Sequence, residues 1–340
     1  MSTYRVAQVT APGGRFEIAE REVPAPGPGR VRIAVEACGV CHSDSYFVQA
    51  GLPGVTFPLV PGHEIAGRIT ELGEATPNVW AVGDRVAVGW FGGSCGYCTP
   101  CRQGDFIVCQ NLEVPGWAYD GGFAEEAIVP FDALARIPDA LTPTEAAPLG
   151  CAGVTTFNGL RRSGARPGDR VAVLGLGGLG HLGVQYAAAM GFETVAIARG
   201  ADKEGFARQL GAHHYVDSTG GTSVAEALQA LGGMKVVLAT AANSEAITAA
   251  VDGLGPRGEV VVVGVDTAPL GVAPTQLVMS AKSVHGHPSG TAQDVEDTMA
   301  FSALHAIRPM VETLPLDRAA EAYEKMLSGS ARFRMVLTNG

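Results

Sequence analysis

The sequence predicts an α/β protein with two domains, a mostly-β part and a doubly wound parallel sheet. Its 340 residues exceed what one hydrophobic core comfortably holds, so two domains are expected. Before residue 152, short segments of alternating polarity are separated by turns, which is typical of half-buried strands. From residue 169 onward, apolar strands alternate with segments of helical periodicity, which is typical of a parallel sheet covered by helices.

The first part is predicted to be a compact, barrel-like β domain. Residues 24–29 read Pro-Ala-Pro-Gly-Pro-Gly, a turn that neither a helix nor a central strand tolerates. Alternation predicts a strand at 31–35, and further strands are predicted at 65–72 and 85–89. Thr142 or Thr144 is expected to cap a short helix where the character of the chain changes.

The second part contains six predicted strands joined by helices, at 171–174, 194–198, 214–216, 235–239, 259–263 and about 282–285. This alternation describes a doubly wound sheet. Asp202 is expected to cap the helix that Gly211 ends. The segment after residue 288 includes an amphipathic helix near 319–327 and a strand at 335–338, which have no place in a six-stranded sheet. We therefore expect this segment to return to the first domain.

Composition narrows the possible functions and partners. The chain is 46% hydrophobic and 17% charged, as globular proteins are, and its net charge of −10 disfavours nucleic acid or an anionic membrane as a partner. No apolar run approaches the ~18 residues of a membrane span, and residues 1–5 lead straight into a strand without a signal peptide. We expect a cytoplasmic protein. In that reducing compartment its seven cysteines favour metal ligands over disulfides.

Four of these cysteines lie on one short segment, at Cys95, Cys98, Cys101 and Cys109. Four thiolates so close together can surround a zinc ion with no open position, and such closed sites are structural. An iron–sulfur cluster and disulfides are the alternatives, although no proline follows the last cysteine as it does in a bacterial ferredoxin run. The spacing therefore favours a structural zinc.

A glycine-rich turn follows the first apolar strand of the second part and opens a helix; it reads Gly175-Leu176-Gly177-Gly178-Leu179-Gly180. In this context the G-x-G-x-x-G pattern predicts a dinucleotide-binding turn. Gly175 permits the tight turn, Gly177 lets the backbone approach a pyrophosphate, and Gly180 lets helix and strand pack closely. The N-terminus of the helix attracts the phosphates. The alternative is a plain strand–helix turn in a glycine-rich chain.

Two further cysteines and one histidine indicate a second metal site. Cys41, His63 and Cys151 offer two thiolates and an imidazole, a set that catalytic zinc uses with a fourth position left for water or substrate. Taken singly, each is more readily a core histidine or a small buried hydrophobe. Beside a separate cysteine cluster and a dinucleotide-binding turn, the metal interpretation is favoured. Cys38 is expected to be a buried bystander.

Six motifs follow one another along the chain: Gly-Val-Cys-His-Ser-Asp at 39–44, Gly-His-Glu at 62–64, the four-cysteine segment, Gly-Gly-Phe-Ala-Glu at 121–125, Cys-Ala-Gly-Val-Thr at 151–155 and the glycine turn. Their order resembles a zinc-dependent alcohol dehydrogenase of the medium-chain dehydrogenase/reductase superfamily. The resemblance covers essentially the whole chain. It implies a GroES-like, mostly-β catalytic domain at 1–152, a Rossmann domain at 153–287, and a return to the catalytic domain at 288–340.

The resemblance implies a role for each residue near the catalytic metal. The zinc ligands of the family match Cys41, His63 and Cys151. Glu64 matches a carboxylate behind the metal that can approach it during ligand exchange. Asp44 matches the partner that orients the ligand histidine. Ser43 matches the hydroxyl that takes the proton from the alcohol.

The resemblance also implies a nicotinamide dinucleotide cofactor. Its binding residues match the glycine turn, with Gly178 and Leu179, and also His42, Val265 and Arg334, whereas Trp90 matches a bulky wall of the substrate pocket. The implied reaction oxidises a primary or secondary alcohol to its carbonyl compound, or the reverse, by transferring a hydride to or from NAD(P). The resemblance also implies two zinc ions per chain and a tetramer or dimer. The alternatives are a polyol or aromatic-aldehyde reductase of the same superfamily, and a zinc-binding redox or regulatory protein without catalysis.

Two positions depart from the family pattern. Tyr46 stands where members carry a histidine at the outer end of the proton relay, and a phenol is a poor base at neutral pH. Ala198 stands where NAD-specific members carry an aspartate, and Arg199 follows it, with Lys203 close by in the sequence. We therefore expect NADP to be accepted at least as well as NAD. The alternative is that Arg199 points to solvent or stacks on the adenine, which leaves NAD adequate.

Overall fold

Three β-sheets organise the chain in this computed structural model, which describes residues 3–339. The strands are, in chain order, β1 (Thr3–Val9), β2 (Phe16–Glu22), β3 (Arg30–Val40), β4 (Glu64–Leu72), β5 (Arg85–Val88), β6 (Glu126–Pro130), β7 (Ala135–Arg136), β8 (Arg170–Leu174), β9 (Glu193–Ala198), β10 (His214–Asp217), β11 (Met234–Ala239), β12 (Leu254–Val262), β13 (Ser283–Gly286), β14 (Val311–Pro315) and β15 (Arg334–Thr338).

The α-helices are, in chain order, α1 (Asp44–Val48), α2 (Thr99–Arg102), α3 (Pro143–Pro148), α4 (Val154–Arg161), α5 (Gly180–Ala189), α6 (Glu204–Gln209), α7 (Val224–Ala230), α8 (Ser244–Ala250), α9 (Pro274–Val278), α10 (Ala292–Leu304) and α11 (Ala319–Ser328). A π-helical turn, Leu149–Gly153, follows α3. No helix within residues 3–339 has the length and hydrophobicity that a membrane crossing requires.

The chain divides into two compact units. One contains the residues up to Val154 together with those from Gly290, and the other is Thr155–Ser289. The limits predicted from the sequence, at 152/153 and 287/288, lie close to these divisions. The segment from Gly290 onward therefore belongs to the same compact unit as the first part of the chain.

The first unit is built on a seven-stranded sheet. Its strand order is β14-β15-β3-β4-β5-β7, β6 pairs with β3, and β1 and β2 form a separate antiparallel pair. The long strand β3 alternates as the sequence predicts, because Val31, Ile33 and Val35 point into the core between half-buried neighbours. The C-terminal strand β15 pairs antiparallel with β3, with Met335 opposite Val40. This pairing ties the end of the chain to the strand that leads into Cys41.

The second unit is a six-stranded, fully parallel sheet in the order β10-β9-β8-β11-β12-β13. This is the doubly wound order, in which the chain starts at the centre and winds outward in both directions. The central strands are buried on both faces and read as continuous apolar runs, as parallel strands covered by helices do. The predicted fold class, a mostly-β domain with a doubly wound sheet, is confirmed.

Three local predictions are refined or corrected. Thr142, and not Thr144, caps α3, because its hydroxyl accepts from the Glu145 N–H in a capping box. Asp202 does not cap α6, because it lies inside a short 3₁₀ turn, Ala201–Lys203, that precedes the helix. Strand β12 begins earlier than predicted, because Leu254 already pairs with Met234 before an irregularity in the register.

Candidate metal centres and nucleotide-binding turn

Four side chains from three parts of the first unit converge on one buried point. Cys41 follows β3, His63 precedes β4, Glu64 begins β4, and Cys151 lies in the π-helical turn. One ligand atom of each lies within 4.8 Å of the others. The pairing of β3 with β4 sets Gly39 opposite Glu64, which brings the ends of these two strands together. A π-helical turn is a common feature of functional sites, and here it presents Cys151.

The geometry of this cluster fits a zinc ion. Cys41 Sγ and Cys151 Sγ are 3.9 Å apart. Two sulfurs bound tetrahedrally to zinc at about 2.3 Å would be about 3.8 Å apart. His63 Nε2 is buried and has no hydrogen-bond partner among the described residues, which is costly unless a ligand fills its place. The hydrogen bond between the two sulfurs holds the pKa of Cys41 well below its ordinary value, although burial acts in the opposite direction.

Asp44 forms hydrogen bonds to two of these candidate ligands. Its Oδ1 lies 2.8 Å from His63 Nδ1, and its Oδ2 accepts the Cys41 N–H at 2.9 Å. The Asp44 and His63 side chains are fully buried. Because a carboxylate accepts, it favours the His63 tautomer with the proton on Nδ1 and leaves Nε2 free to bind a metal. The role that the resemblance implied for Asp44 therefore has a geometric basis.

Glu64 and Arg334 form a buried ion pair behind the same cluster. An Arg334 guanidinium nitrogen donates to Glu64 Oε1, while Glu64 Oε2 is buried without a hydrogen-bond partner within residues 3–339. Burial raises the pKa of Glu64 to about 7, although the Arg334 charge acts in the opposite direction. The Arg334 side chain is only 5% exposed, so its predicted contact with the cofactor phosphates stays a prediction.

The four-cysteine segment forms a second, closed cluster in the first unit. Cys98 Sγ and Cys95 Sγ lie 3.8 and 3.6 Å from Cys109 Sγ, again the sulfur spacing of tetrahedral zinc. The backbone N–H groups of Cys95 and Asn111 donate to Cys109 Sγ at 3.4 and 3.3 Å. Together with Cys101, the cluster offers four sulfurs, so that a bound metal would keep no open position.

Next to the cluster of Cys41, His63, Glu64 and Cys151 lie three packed aromatic side chains, which the sequence only partly predicted. Trp90 meets the His63 ring edge-on at 5.2 Å and stacks on Phe47 at 5.8 Å, and Phe47 stacks on Trp117 at 6.1 Å. The Nε1–H of Trp117 donates to the Pro53 carbonyl, so its ring offers only apolar faces. Sequence reasoning named Trp90 alone. Phe47 and Trp117 are 70 residues apart in the chain and meet only through the fold.

Three residues of the predicted relay and phosphate contacts lie around α1. His42 is exposed, whereas Ser43 and Tyr46 are partly buried. Neither the Ser43 nor the Tyr46 hydroxyl has a hydrogen-bond partner within residues 3–339. Both are therefore available to a substrate or to another bound group.

The glycine turn has the backbone geometry that close approach to a ligand requires. Gly175 has φ +103°, and a Cβ on Gly180 would lie 1.9 Å from the Gly175 carbonyl oxygen. Nothing lies within 4 Å of a Cβ on Gly177, so the chain is open there. Thr240, which the sequence did not single out, donates to the Leu174 carbonyl at 2.9 Å and holds the turn from β11. The remaining predicted residues Gly178 and Leu179 lie between β8 and α5.

The residues predicted to select the cofactor follow β9. Ala198 is its last residue and is buried, while Arg199 is exposed and has no hydrogen-bond or ion-pair partner within residues 3–339. Lys203 lies in the 3₁₀ turn before α6. Val265, after β12, is 60% exposed. In such sheets the adenosine ribose binds where the second strand ends, which is the position of Ala198.

Comparison with known proteins identifies the class to which this fold and site belong. Residues 27–139 match the alcohol dehydrogenase GroES-like domain, and residues 178–303 match the zinc-binding dehydrogenase domain. The alcohol dehydrogenase patD of Penicillium expansum is 44% identical over 99% of this chain and 98% of its own length. The chain therefore belongs to the alcohol dehydrogenase family of the medium-chain dehydrogenase/reductase superfamily, as the sequence predicted. It is an alcohol/aldehyde oxidoreductase.

Solved structures agree with this assignment. A cinnamyl alcohol dehydrogenase of Sorghum bicolor superposes with a TM-score of 0.90 at 28% identity, covering 99% of this chain and 98% of that one. The CAD of Helicobacter pylori, complexed with NADP(H), superposes with a TM-score of 0.85 at 26% identity and the same coverage.

Proposed function

We propose that the chain is a zinc-dependent alcohol dehydrogenase with a catalytic zinc on Cys41, His63 and Cys151, and a structural zinc on the four-cysteine segment. The observation that carries the proposal is the buried convergence of two thiols 3.9 Å apart with an unpartnered imidazole nitrogen. Three ligands with room for a fourth are typical of catalytic zinc, and four thiolates are typical of structural zinc.

Other residues around the proposed catalytic site would transfer the proton and orient the metal ligands. When bound, zinc would supply a Lewis acid for the alcohol or carbonyl oxygen, and a nicotinamide would accept or supply the hydride. The Ser43 hydroxyl, which has no partner within the described chain, would receive the alcohol proton. Asp44 would hold His63 in the ligating tautomer. Glu64, paired with Arg334, would keep a carboxylate close to the metal position.

The aromatic group beside the metal cluster supports a preference for apolar, aromatic substrates. Trp90, Phe47 and Trp117 form a continuous series of aromatic rings that begins at His63 and presents mainly apolar ring faces, and the Trp117 N–H is already bonded to Pro53. Such a surface binds a flat apolar ring and leaves the hydroxyls of a polyol without partners. A substrate panel tests this choice: benzylic or allylic alcohols should exceed polyols in kcat/KM, and a clear preference for polyols would reverse it.

Two measurements test the metal assignment. Elemental analysis should give two zinc ions per chain, and the zinc-loaded protein should reduce NAD(P) when an alcohol is added. A protein that holds two zinc ions but never oxidises an alcohol or reduces an aldehyde would support the non-catalytic zinc protein instead.

We also propose a cytoplasmic location and a tetramer or dimer. The free cysteines of the described chain are in keeping with a cytoplasmic enzyme. Sedimentation equilibrium would test the oligomeric state.

For the cofactor we propose that NADP is used at least as well as NAD. Ala198 offers no carboxylate for the ribose hydroxyls, and the unpartnered Arg199 guanidinium can pair with a phosphate in a bidentate way. Lys203 adds a second cation close by in the sequence. Arg199→Ala should raise KM for NADP far more than for NAD, and Ala198→Asp should shift preference toward NAD. A tenfold or greater advantage of NAD in kcat/KM on the unmodified enzyme would contradict the proposal.

A further inference from the structure

The turn that carries Arg199 is held from both sides by the neighbouring strand. Gly200, the next residue, donates its N–H to Asp217 Oδ1 at 2.8 Å. Its carbonyl oxygen accepts from the Tyr215 hydroxyl at 2.5 Å. Tyr215 and Asp217 both lie on β10, whose last residue, Asp217, pairs with Ala198. Gly200 is therefore held at both its backbone N–H and its carbonyl oxygen, in the two peptide groups that flank it, by two side chains of one strand.

These two hydrogen bonds, which we call the clamp on Gly200, hold a backbone conformation that the turn would not otherwise prefer. Gly200 has φ +90° and ψ 132°, a region that side-chain-bearing residues avoid. A Cβ there would lie 2.4 Å from Asp202 Oδ1. Asp217 Oδ1 also accepts the N–H and hydroxyl of Thr219 at 2.9 and 2.7 Å, so the carboxylate is itself anchored. These contacts fix the backbone conformation of the turn that follows β9.

We infer that Tyr215 and Asp217 are positioning residues for cofactor selection: by clamping Gly200, they present the Arg199 guanidinium to the 2′-phosphate of an adenosine. This inference rests on the proposed use of NADP. Arg199 itself is exposed and unpartnered within residues 3–339, so the backbone on which it stands is what limits its position. A charged residue whose backbone is already fixed loses less conformational entropy on binding, and its contact with the phosphate is correspondingly stronger.

The carboxylate of Asp217 could act in a second way, and the two effects have opposite signs. The hydrogen bonds from Thr219, ahead of the other contacts, hold the pKa of Asp217 below its ordinary value, so it carries a negative charge near neutral pH. That charge would repel a 2′-phosphate, whereas the clamp would favour it. Asp217→Asn keeps an acceptor oxygen and removes the charge, and Asp217→Ala removes both. The two variants therefore separate the clamp from the charge.

The experiment measures dissociation constants of 5′-AMP and 2′,5′-ADP by calorimetry on the zinc-loaded full chain. The ratio of the dissociation constant of 5′-AMP to that of 2′,5′-ADP measures how much the 2′-phosphate strengthens binding. This ratio does not depend on turnover. Tyr215→Phe and Asp217→Ala should each lower the ratio about three- to tenfold, the scale of one lost hydrogen bond. Asp217→Asn should keep the ratio or raise it. 5′-AMP should bind within about twofold of the unmodified chain, because it does not use Arg199.

A double-variant cycle decides whether the two residues act through Arg199. In an Arg199→Ala background, Tyr215→Phe should have no further effect on the ratio, because the group that it positions is gone. A control for lost stability is Gln229→Ala on α7, which removes two hydrogen bonds to the carbonyls of Asp252 and Leu254, makes no contact with Gly200, and should leave the ratio unchanged.

The outcomes separate the inference from the proposal on which it rests. If the unmodified chain binds 2′,5′-ADP no better than 5′-AMP, the NADP proposal fails and the clamp has nothing to set, so both are overturned. If the unmodified chain discriminates but Tyr215→Phe and Asp217→Ala keep its ratio, the NADP proposal stands and the inference alone fails. Additive effects of Arg199→Ala and Tyr215→Phe, or a ratio that rises in Asp217→Ala, would also overturn the inference.

Discussion

Asp44 Oδ1 and His63 Nδ1 lie 2.8 Å apart between two fully buried side chains, and the other oxygen of Asp44 accepts the Cys41 N–H. One carboxylate thus orients the imidazole of one candidate ligand and the backbone of another. A partner of this kind typically changes metal affinity by about 10- to 100-fold when it is removed. The position of the proposed catalytic metal therefore depends on a residue that does not contact it.

We predict that Asp44→Asn lowers affinity for the catalytic zinc by roughly 10- to 100-fold and leaves the structural zinc in place. The amide keeps an acceptor but loses the charge that favours the ligating tautomer. Competition with a coloured chelator should then release one zinc far more readily than the other. Two zinc ions held as tightly as in the unmodified protein would remove the basis for this role of Asp44.

The two metal clusters should respond differently to loss of a ligand. Cys98→Ser should lower the thermal unfolding temperature or the yield, because a structural zinc contributes folding free energy. Cys41→Ser should abolish turnover in a soluble, folded protein. Cys38→Ala is the matched control, since this buried cysteine belongs to neither cluster and should retain two zinc ions. Near-normal turnover in Cys41→Ser would show that the catalytic site lies elsewhere.

The relay prediction concerns two hydroxyls on and beside α1. Ser43→Ala should lower the rate of alcohol oxidation by about 10²- to 10⁴-fold, the usual effect of losing a positioned acid–base group. Tyr46→Phe should cost little, because a phenol is a poor base near neutral pH. Steady-state kinetics with saturating cofactor measures both. A severe loss in Tyr46→Phe, with folding and cofactor binding intact, would make the phenol part of the relay.

Local patterns in the sequence predicted most of the fold and the side chains that meet in the two candidate metal clusters. The six parallel strands could be located because each is a short apolar run bounded by turns, and the two cysteine groups could be separated by their spacing. What could not be predicted are contacts between residues far apart in the chain. The ion pair of Glu64 with Arg334 spans 270 positions and depends on β15 returning beside β3.

The same limit explains the clamp on the Arg199 turn. Tyr215 and Asp217 read in the sequence as ordinary residues of a strand. Their relation to Gly200 appears only when β10 is aligned beside β9, because the register decides which side chain reaches which peptide group. The sequence predicted where cofactor selection would occur, and the strand pairing shows which side chains hold the backbone next to Arg199.

A surface contact predicts a pH effect on stability in the first unit. Glu312 accepts from Lys325 Nζ at 3.0 Å and from the Arg332 N–H at 2.7 Å, and these contacts, Lys325 foremost, hold its pKa below the ordinary value. Because the pKa is depressed in the folded state, the stabilisation is present above the unfolded-state pKa of about 4.3 and is lost as pH falls through the folded-state pKa.

Glu312→Gln should therefore flatten the fall in stability on acidification below about pH 5, by less than about 1 kcal/mol because solvent screens a pair that is a third exposed. Urea unfolding at several pH values measures the effect. Glu324→Gln is the control, since this carboxylate on α11 has no hydrogen-bond or ion-pair partner in the described part of the chain. Equal pH profiles for the two variants would contradict the prediction.

The last prediction concerns the space that the Glu64 carboxylate occupies. Gly39, opposite Glu64 in the β3–β4 pair, leaves so little room that a Cβ there would lie 1.9 Å from Glu64 Oε2. Gly39→Ala must therefore displace the carboxylate and break its buried ion pair with Arg334. Breaking such a pair costs on the order of 3–5 kcal/mol, because an uncompensated charge stays buried. Metal affinity should fall as well, since Glu64 adjoins the ligand cluster.

Chemical denaturation and zinc titration of Gly39→Ala measure these two effects. Gly205→Ala is the matched control: this glycine lies exposed in α6, nothing is within 4 Å of an added Cβ, and the change should be neutral or stabilising by about 0.5–1 kcal/mol. A Gly39→Ala protein as stable as the unmodified chain would contradict the prediction. It would mean that the Glu64 carboxylate can adopt another position without a loss of stability.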